Sequence, residues 1–319
     1  MNDVPVQVLE ARQVPLGGMR SLEVRRTLPH KDRSFVGAWC FVDHYGPEPV
    51  RDLERDGMDV PPHPHTGLQT VSWLFDGEIE HRDTGGVHGM VRPGEMNLMT
   101  SGHGIAHSEV STPETDTLHG VQLWVALPDA DRETARAFEH HALDDVDLTG
   151  DDGGFAGVAL VFLGELPGVD RSPVTTYTPL LGAELRLEAG TELTLDVDSS
   201  FEHAVLVDSG DVTFEGTQLK RGDLAFLDPG RSQLHFSIGQ FPARLVLLGG
   251  EPFEEEIVMW WNFVGRSHEE IVEAREQYEA GDPRFGHVEG YTGKTDRIPA
   301  PPIPPVHLRP RNRRGRIGG

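Results

Sequence analysis

Residues 94–109 read GEMNLMTSGHGIAHSE, and residues 222–237 read GDLAFLDPGRSQLHFS. In both, Gly followed by an acid opens a strand-like run and a loop with an internal Gly follows. In both, a histidine stands 13 residues past the first glycine, His107 in one and His235 in the other. Upstream, residues 71–77 (VSWLFDG) match 204–210 (AVLVDSG). Self-similarity over this distance suggests two copies of one β-unit.

Outward from the repeat, strand-like runs recur at 35–42, 69–75, 120–127, 157–163, 183–187, 192–197, 203–207, 223–227 and 244–248. Most are short, rich in Val, Leu, Phe or Trp, and bounded by Gly, Pro, Asp or Asn. That pattern predicts a sandwich or barrel. Gly 37 and Pro 24 make up about a fifth of the 319 residues, which also favours an all-β chain over a helix bundle. A chain of this length reads as two domains. The expected division is 1–142, an acidic linker at 143–154, a second unit at 155–290, and a Pro-rich then basic tail at 291–319. The linker carries Asp144, Asp145, Asp147, Asp151 and Asp152 among glycines, a composition that resists packing. The tail ends on Arg309, Arg311, Arg313, Arg314 and Arg316, and is expected to wrap in extended form over the acidic body or to fray. Two helices are predicted. One is at 130–140, with Ala135 and Phe138 at i,i+3. The other is at 267–279, where Ser267 caps, Glu270 completes a capping box, and Ile271, Ala274 and Tyr278 share a face.

Composition narrows the function. The formal charge of −24 repels phosphate backbones and anionic membrane surfaces, so neither direct nucleic-acid binding nor membrane attachment is expected. Cys40 is the only cysteine, which excludes an intrachain disulfide and cysteine-based zinc sites. Residues 1–14 contain Asp3, Glu10 and Arg12 and no apolar run, unlike a signal peptide, and no stretch is long and apolar enough to span a bilayer. A soluble, cytoplasmic protein is expected.

Seven of the 16 histidines fall between His63 and His119. His63-Pro64-His65 precedes the run 69–75, and His107-Ser108-Glu109 follows a Gly-rich turn. In an extended segment, residues i and i+2 point to one face. Each pair therefore projects two ligand-capable side chains together. If the two segments face each other in a small barrel, three imidazoles and one carboxylate converge. That donor set suits a first-row transition metal with open positions better than a closed structural zinc.

These residues carry a family resemblance. PPHPHTGLQTVSWLFDGEIEHRDTGG (61–86) and RPGEMNLMTSGHGIAHSE (92–109) resemble the pirin family of the cupin superfamily. So do RRTLPHKDRSFVGAWCFVDHYGP (25–47), IVMWWNFVGRSHEEI (257–271) and the ending with GYTG and RIPAPPIP. The resemblance runs from about Arg25 to Pro305. It implies a bicupin, two tandem antiparallel, jelly-roll-like β-barrels with a short C-terminal helix. It also implies one Fe(II) in the N-terminal barrel, with Cu, Ni, Co or Zn as alternatives. The ligands it implies are His63, His65, His107 and Glu109. Two positions depart from the family: Gln69 replaces a frequent Glu, and His103 stands where Arg or Ser is frequent. His103 reads either as a donor behind the ligands, an acid–base group, or a plain loop histidine. Aligning Gly210 with Gly77 and Gly222 with Gly94 puts Asp196, Asp198, His235 and Ser237 where the first unit has its four ligands, so no second transition-metal site is expected.

Other candidates read as structure. Trp260, Trp261 and Phe263 suit core packing or a domain contact. Asp43 and His44 are expected to bond each other or a nearby loop, His81 and His88 to be exposed beside a hairpin turn, and Cys40 to be buried and inert. The resemblance implies a dioxygenase of quercetin 2,3-dioxygenase type, acting on a flavonol with Glu109 as general base. The alternative it implies is an iron-dependent regulatory protein that binds a metabolic enzyme or a transcription factor. A zinc-type sugar isomerase ranks below both, because no basic phosphate-binding cluster lies near the motifs.

Overall fold

In the computed structural model, residues 5–15, 22–51, 57–293 and 295–316 are described. Residues 1–4 and the end of the basic tail (317–319) are among those that lie outside them. Of the described residues, 52% are strand and 4% helix. All paired strands of the large sheets are antiparallel, and they form two jelly-roll units of two sheets each, open rather than closed into cylinders.

In the first unit a seven-stranded sheet runs in the order Ala137–Ala142, Glu95–Thr100, Leu68–Asp76, Thr117–Ala126, Trp39–Pro49, Glu23–Leu28, Arg12–Pro15. Its partner sheet has four strands, Asp59–His65, Ile105–Ser111, Ile79–Asp83 and His88–Val91. The second unit repeats the plan. Its large sheet centres on Glu202–Ser209, Ala243–Gly250, Leu180–Leu187 and Phe155–Leu166, and its small sheet on Glu192–Asp196, Gln233–Ile238 and Val212–Phe214.

The two large sheets pack back to back, and this explains their sequences. Val71, Trp73 and Phe75 point into a core shared with Phe162, Leu206 and Leu248 of the second unit. On the same strand Leu74 faces inward, into the first unit's own core with Val24, Tyr45 and Ile79. A strand buried on both faces reads as a continuous apolar run rather than an alternating one. Polar groups pin the interface. Trp39 Nε1 donates to the carbonyls of Leu181 and Gly249, both at 3.1 Å. Trp73 Nε1 donates to Glu184 at 2.7 Å. Asp208 accepts from His44 at 2.8 Å and His119 at 2.6 Å. A side chain on Gly37 would place its Cβ 2.6 Å from the Gly250 Cα, so the backbones meet there only because both are glycine.

Several sequence expectations change. Residues 130–140 are not helical: turns lead into the strand Ala137–Ala142, which pairs with Glu95–Thr100, and this edge pairing overrides a weak helical period. The stretch 143–154 is not a free linker, since Val146–Thr149 pairs with Phe155–Leu166 and buries Leu148. The run expected at 35–42 is a strand only from Trp39 onward and continues to Pro49. The N-terminal strand Gln7–Leu9 joins the second unit's sheet through Leu224–Leu227. Asp43 bonds not His44 but Arg26, through two contacts of 2.6 and 2.7 Å. The helix His268–Ala280 stands where predicted, with Ser267 accepting from the Glu270 amide and Ile271, Ala274 and Tyr278 buried. The tail does wrap back: Arg311 bridges to Ile257, and Arg313 approaches the buried Glu202 at 3.5 Å. Cys40 is fully buried.

The second unit's interior holds a titratable group without a partner. His203 is completely buried on the face of Val205 and Val207, and neither ring nitrogen has a hydrogen bond among the described residues. Burial pushes the His203 imidazole down to about 4, and burial likewise pushes His44 down to about 4. Below the ordinary histidine value the unfolded chain takes up protons that the folded chain refuses. Stability is therefore lost as pH falls from about 6.5 toward 4. The melting temperature is expected to drop between pH 7 and 4.5. In His203→Leu the drop is expected to be smaller, with equal or higher stability at pH 7. Calorimetry across that range checks both.

Candidate metal centre

The strand Asp59–His65 carries Pro61, Pro62 and Pro64, which lack a ladder donor, and it occupies the edge of its sheet as prolines require. Its neighbour Ile105–Ser111 runs antiparallel, with His107 directly opposite His63. Between His107 and Glu109 the register shifts by a bulge, so Glu109 sits opposite Val60 rather than Pro61.

His63, His65 and His107 converge, with ligand atoms within 4.8 Å of one another. Ring centroids lie 4.3 Å apart for His63 and His107, 5.0 Å for His65 and His107, and 5.1 Å for His63 and His65. The Nε2 atoms of His65 and His107 are 3.1 Å apart, close to the spacing of adjacent ligands on one ion with metal–nitrogen bonds of about 2.1 Å. All three rings are buried. Burial pushes His63 down to about 4 and holds His65 and His107 well below the ordinary histidine range, with neighbouring histidines adding to the effect. Three neutral imidazoles facing one point are what a cation can bind.

The groups behind the rings orient them. His63 Nδ1–H donates to the Pro61 carbonyl at 2.9 Å, leaving Nε2 bare. His81 Nε2–H donates to Asp83 Oδ2 at 3.1 Å, so His81 Nδ1 can accept from His107 Nδ1–H at 3.3 Å. Asp83 is itself fixed by the amides of Gly85 and Val87. This Asp83–His81–His107 chain fixes the His107 tautomer with Nε2 free. His81 was expected at the surface and is buried, as is Asp83. The signal was present in the sequence. Ile79, His81 and Asp83 alternate inward, while Glu80 and Arg82 pair outside at 2.6 Å. His88 is exposed as expected.

Glu109 faces the same cavity but stands outside the three-histidine cluster, accepting from Ser72 Oγ at 3.1 Å. Burial raises its carboxyl, opposed by His81 and the Ser72 bond. Gln69 is buried and donates to Thr100 Oγ1 at 2.9 Å. His103 is not behind the ligands. It lies against the Thr134 carbonyl and lines a separate pocket of about 250 Å³. The cluster opens into a cavity of about 760 Å³, whose walls include Phe41, Trp124, Met259 and Trp261. Phe41 and Trp124 stack at 4.0 Å, and Trp124 meets His65 edge-on at 5.2 Å.

The second unit's matching strands are built differently. Leu193 and Leu195 lie opposite Phe236 and Leu234, and these four side chains fill the interior. His235 and Asp196 point outward and are exposed. The glycine-based alignment of His235 with His107 is therefore wrong about faces: a one-residue offset turns a strand's side chains over.

A two-unit jelly roll with a histidine cluster in the first half and a largely apolar interior in the second is a bicupin with a candidate metal centre in its first unit. The chain belongs to the pirin family: the Pirin family model matches residues 21–125 and the Pirin C-terminal cupin domain model matches 182–286. It is 42% identical over 299 residues to a Pseudomonas aeruginosa protein named "Putative quercetin 2,3-dioxygenase", covering 94% of this chain and 91% of that one. It is 35% identical to a pirin-like protein of Caulobacter vibrioides, over 86% of this chain and 93% of that one. A crystal structure of quercetin 2,3-dioxygenase from Acinetobacter baumannii superposes with a TM-score of 0.87 at 36% identity, covering 97% and 98% of the two chains. No helix among the described residues is long and apolar enough to cross a membrane.

If His81 orients His107, then His81→Leu should weaken metal affinity about 10- to 100-fold. Asp83→Asn should weaken it less, and His103→Ala should not change it. Competition titrations with a chelator measure all three. Unchanged affinity in His81→Leu would remove the relay from the site.

Proposed function

We propose that the protein is a metal-dependent dioxygenase acting on a flavonol-like substrate. The observation that carries this reading is the three-histidine cluster opening into an aromatic-walled cavity of about 760 Å³. Few clefts combine a first-row-metal donor set with room for a planar molecule of that size. The names of the relatives support the same reaction class.

His63, His65 and His107 would hold the ion, with Glu109 as fourth ligand. Iron(II) is the proposed metal, with Cu, Ni, Co or Zn as alternatives. Bound there, it would supply Lewis acidity toward the substrate's 3-hydroxyl and a place for dioxygen. The chain's own residues do the rest. Glu109, the carboxylate facing the cavity beside the histidines, accepts the 3-hydroxyl proton. Ser72 Oγ lies 3.1 Å from that carboxylate and 2.9 Å from Gln122 Oε1, so its one proton serves either acceptor and can leave the carboxylate free to act. Phe41 and Trp124 offer an apolar wall that excludes water from the reacting ring. The net reaction consumes one flavonol and one dioxygen and yields the ring-opened ester and carbon monoxide.

Protein loaded in turn with Fe, Cu, Ni or Co is expected to consume oxygen when quercetin is added. His107→Ala should abolish uptake together with metal binding, and Glu109→Gln should retain metal but lose at least tenfold in rate. An oxygen electrode and carbon monoxide trapping follow the reaction. Fully loaded protein that consumes no oxygen with quercetin under any of the four metals would overturn the proposal.

A further inference from the structure

The strands Val258–Trp260 and Phe263–Gly265 pair with Trp260 opposite Phe263, so Trp261 and Asn262 form a two-residue hairpin loop. Trp261 has φ +52°. Two-residue hairpin loops place Gly, Asn or Asp at such positions, because a bulky side chain there strains the backbone. Among the described residues the other non-glycine with positive φ is Glu215, whose carboxylate is tied to Arg231 and to the His235 amide. Trp261 has no such polar tether. Its indole lines the cavity of the candidate centre and is only half-buried.

The hairpin is attached to the ligand strand itself. Val264 N donates to the Thr66 carbonyl at 3.1 Å, one residue past His65, and Phe263 forms a parallel bridge with Thr66. Phe263 at 5.5 Å and Tyr278 at 6.0 Å back the indole from the helix side. A strained, backed aromatic ring therefore projects into the same cavity as the Phe41–Trp124 stack, from a different part of the chain.

We propose that Trp261 is a specificity-determining residue. It forms an aromatic wall that selects planar, fused-ring substrates at the metal centre and discriminates against puckered ones. This rests on the reading of the site as one for a flavonol-like substrate. The strain at Trp261 is maintained by its packing, and the indole face it presents is what a glycine or asparagine in the same loop would lack.

The test is anaerobic equilibrium binding of quercetin and of its 2,3-dihydro analogue, which has the same hydroxyls on a puckered ring. Metal-loaded wild type, Trp261→Phe and Trp261→Asn are compared, with metal content measured in each. Asparagine tolerates the left-handed backbone, so folding is preserved. Trp261→Asn is expected to lose about tenfold in quercetin affinity, the order of one lost stacking contact, and to bind the dihydro analogue within about twofold of wild type. Trp261→Phe should stay within about threefold for both. All three proteins should hold equal metal. An unchanged preference for the planar ligand in Trp261→Asn with metal retained would overturn the proposal. So would loss of metal together with affinity, since Trp261 would then act only by supporting the His65 strand. Metal-loaded wild type that binds neither compound would overturn the flavonol reading itself, and this inference with it.

Discussion

The site depends on one cross-strand register, His63 opposite His107. In an antiparallel pair that register decides which side chains meet, and a slip of one residue would send both histidines to the opposite face. The sequence around it makes the pairing vulnerable. Three prolines in Asp59–His65 remove ladder donors, so the strand can bond fully on one side only. Its outer edge is secured from elsewhere. The Ile298 amide donates to the Pro62 carbonyl at 2.8 Å, and the hairpin at Trp261 hooks onto Thr66. The C-terminal segment thus supplies both the missing backbone partners of the ligand strand and part of the cavity wall.

The two units show how one architecture separates a site from a scaffold. Corresponding strands of the large sheets carry Ser72 inward in the first unit and Val205 inward in the second. In the small sheets, histidines face inward in the first and Leu193, Leu195, Leu234 and Phe236 in the second. An interior filled with leucine and phenylalanine around a lone His203 brings no second set of donors together among the described residues. The second unit instead offers its large sheet as the other half of a shared apolar core behind the first unit's large sheet.

Much of this was legible in the sequence, and the physical reasons differ by element. Short buried strands announce themselves through β-branched and aromatic runs between glycines, and the paired His-x-His and His-x-Glu announce a common face through the period of two. The Ser267 helix was legible because its cap and its apolar face agree. Residues 130–140 misled because two apolar positions are too few to set a period, and the partner edge at Glu95–Thr100 decided the outcome. His81 reads as exposed from the glycine-rich turn that follows it, whereas the alternation Ile79, His81, Asp83 puts it inside. His235 stands at the same distance from its glycine as His107 does, yet it faces outward, because a distance in residues along a loop and strand does not fix the face. The reach of the C-terminal segment across the first unit had no local signature, since long-range contacts of proline-rich chain leave no periodicity.

The two ends of the chain are exchanged. Gln7–Leu9 extends the sheet of the second unit, while the final segment covers the ligand strand of the first. Neither half is self-sufficient, because each has lent a piece of itself to the other. A polypeptide cut between the repeats would leave one fragment with a bare sheet edge and the other with an uncovered histidine strand. Ancestral duplicates tied in this way can no longer be shuffled apart as independent modules. Toward one end Arg311 lines the cavity, while toward the other Gln7–Leu9 is paired into the scaffold sheet, so a change at one end bears on the site and a change at the other on the scaffold.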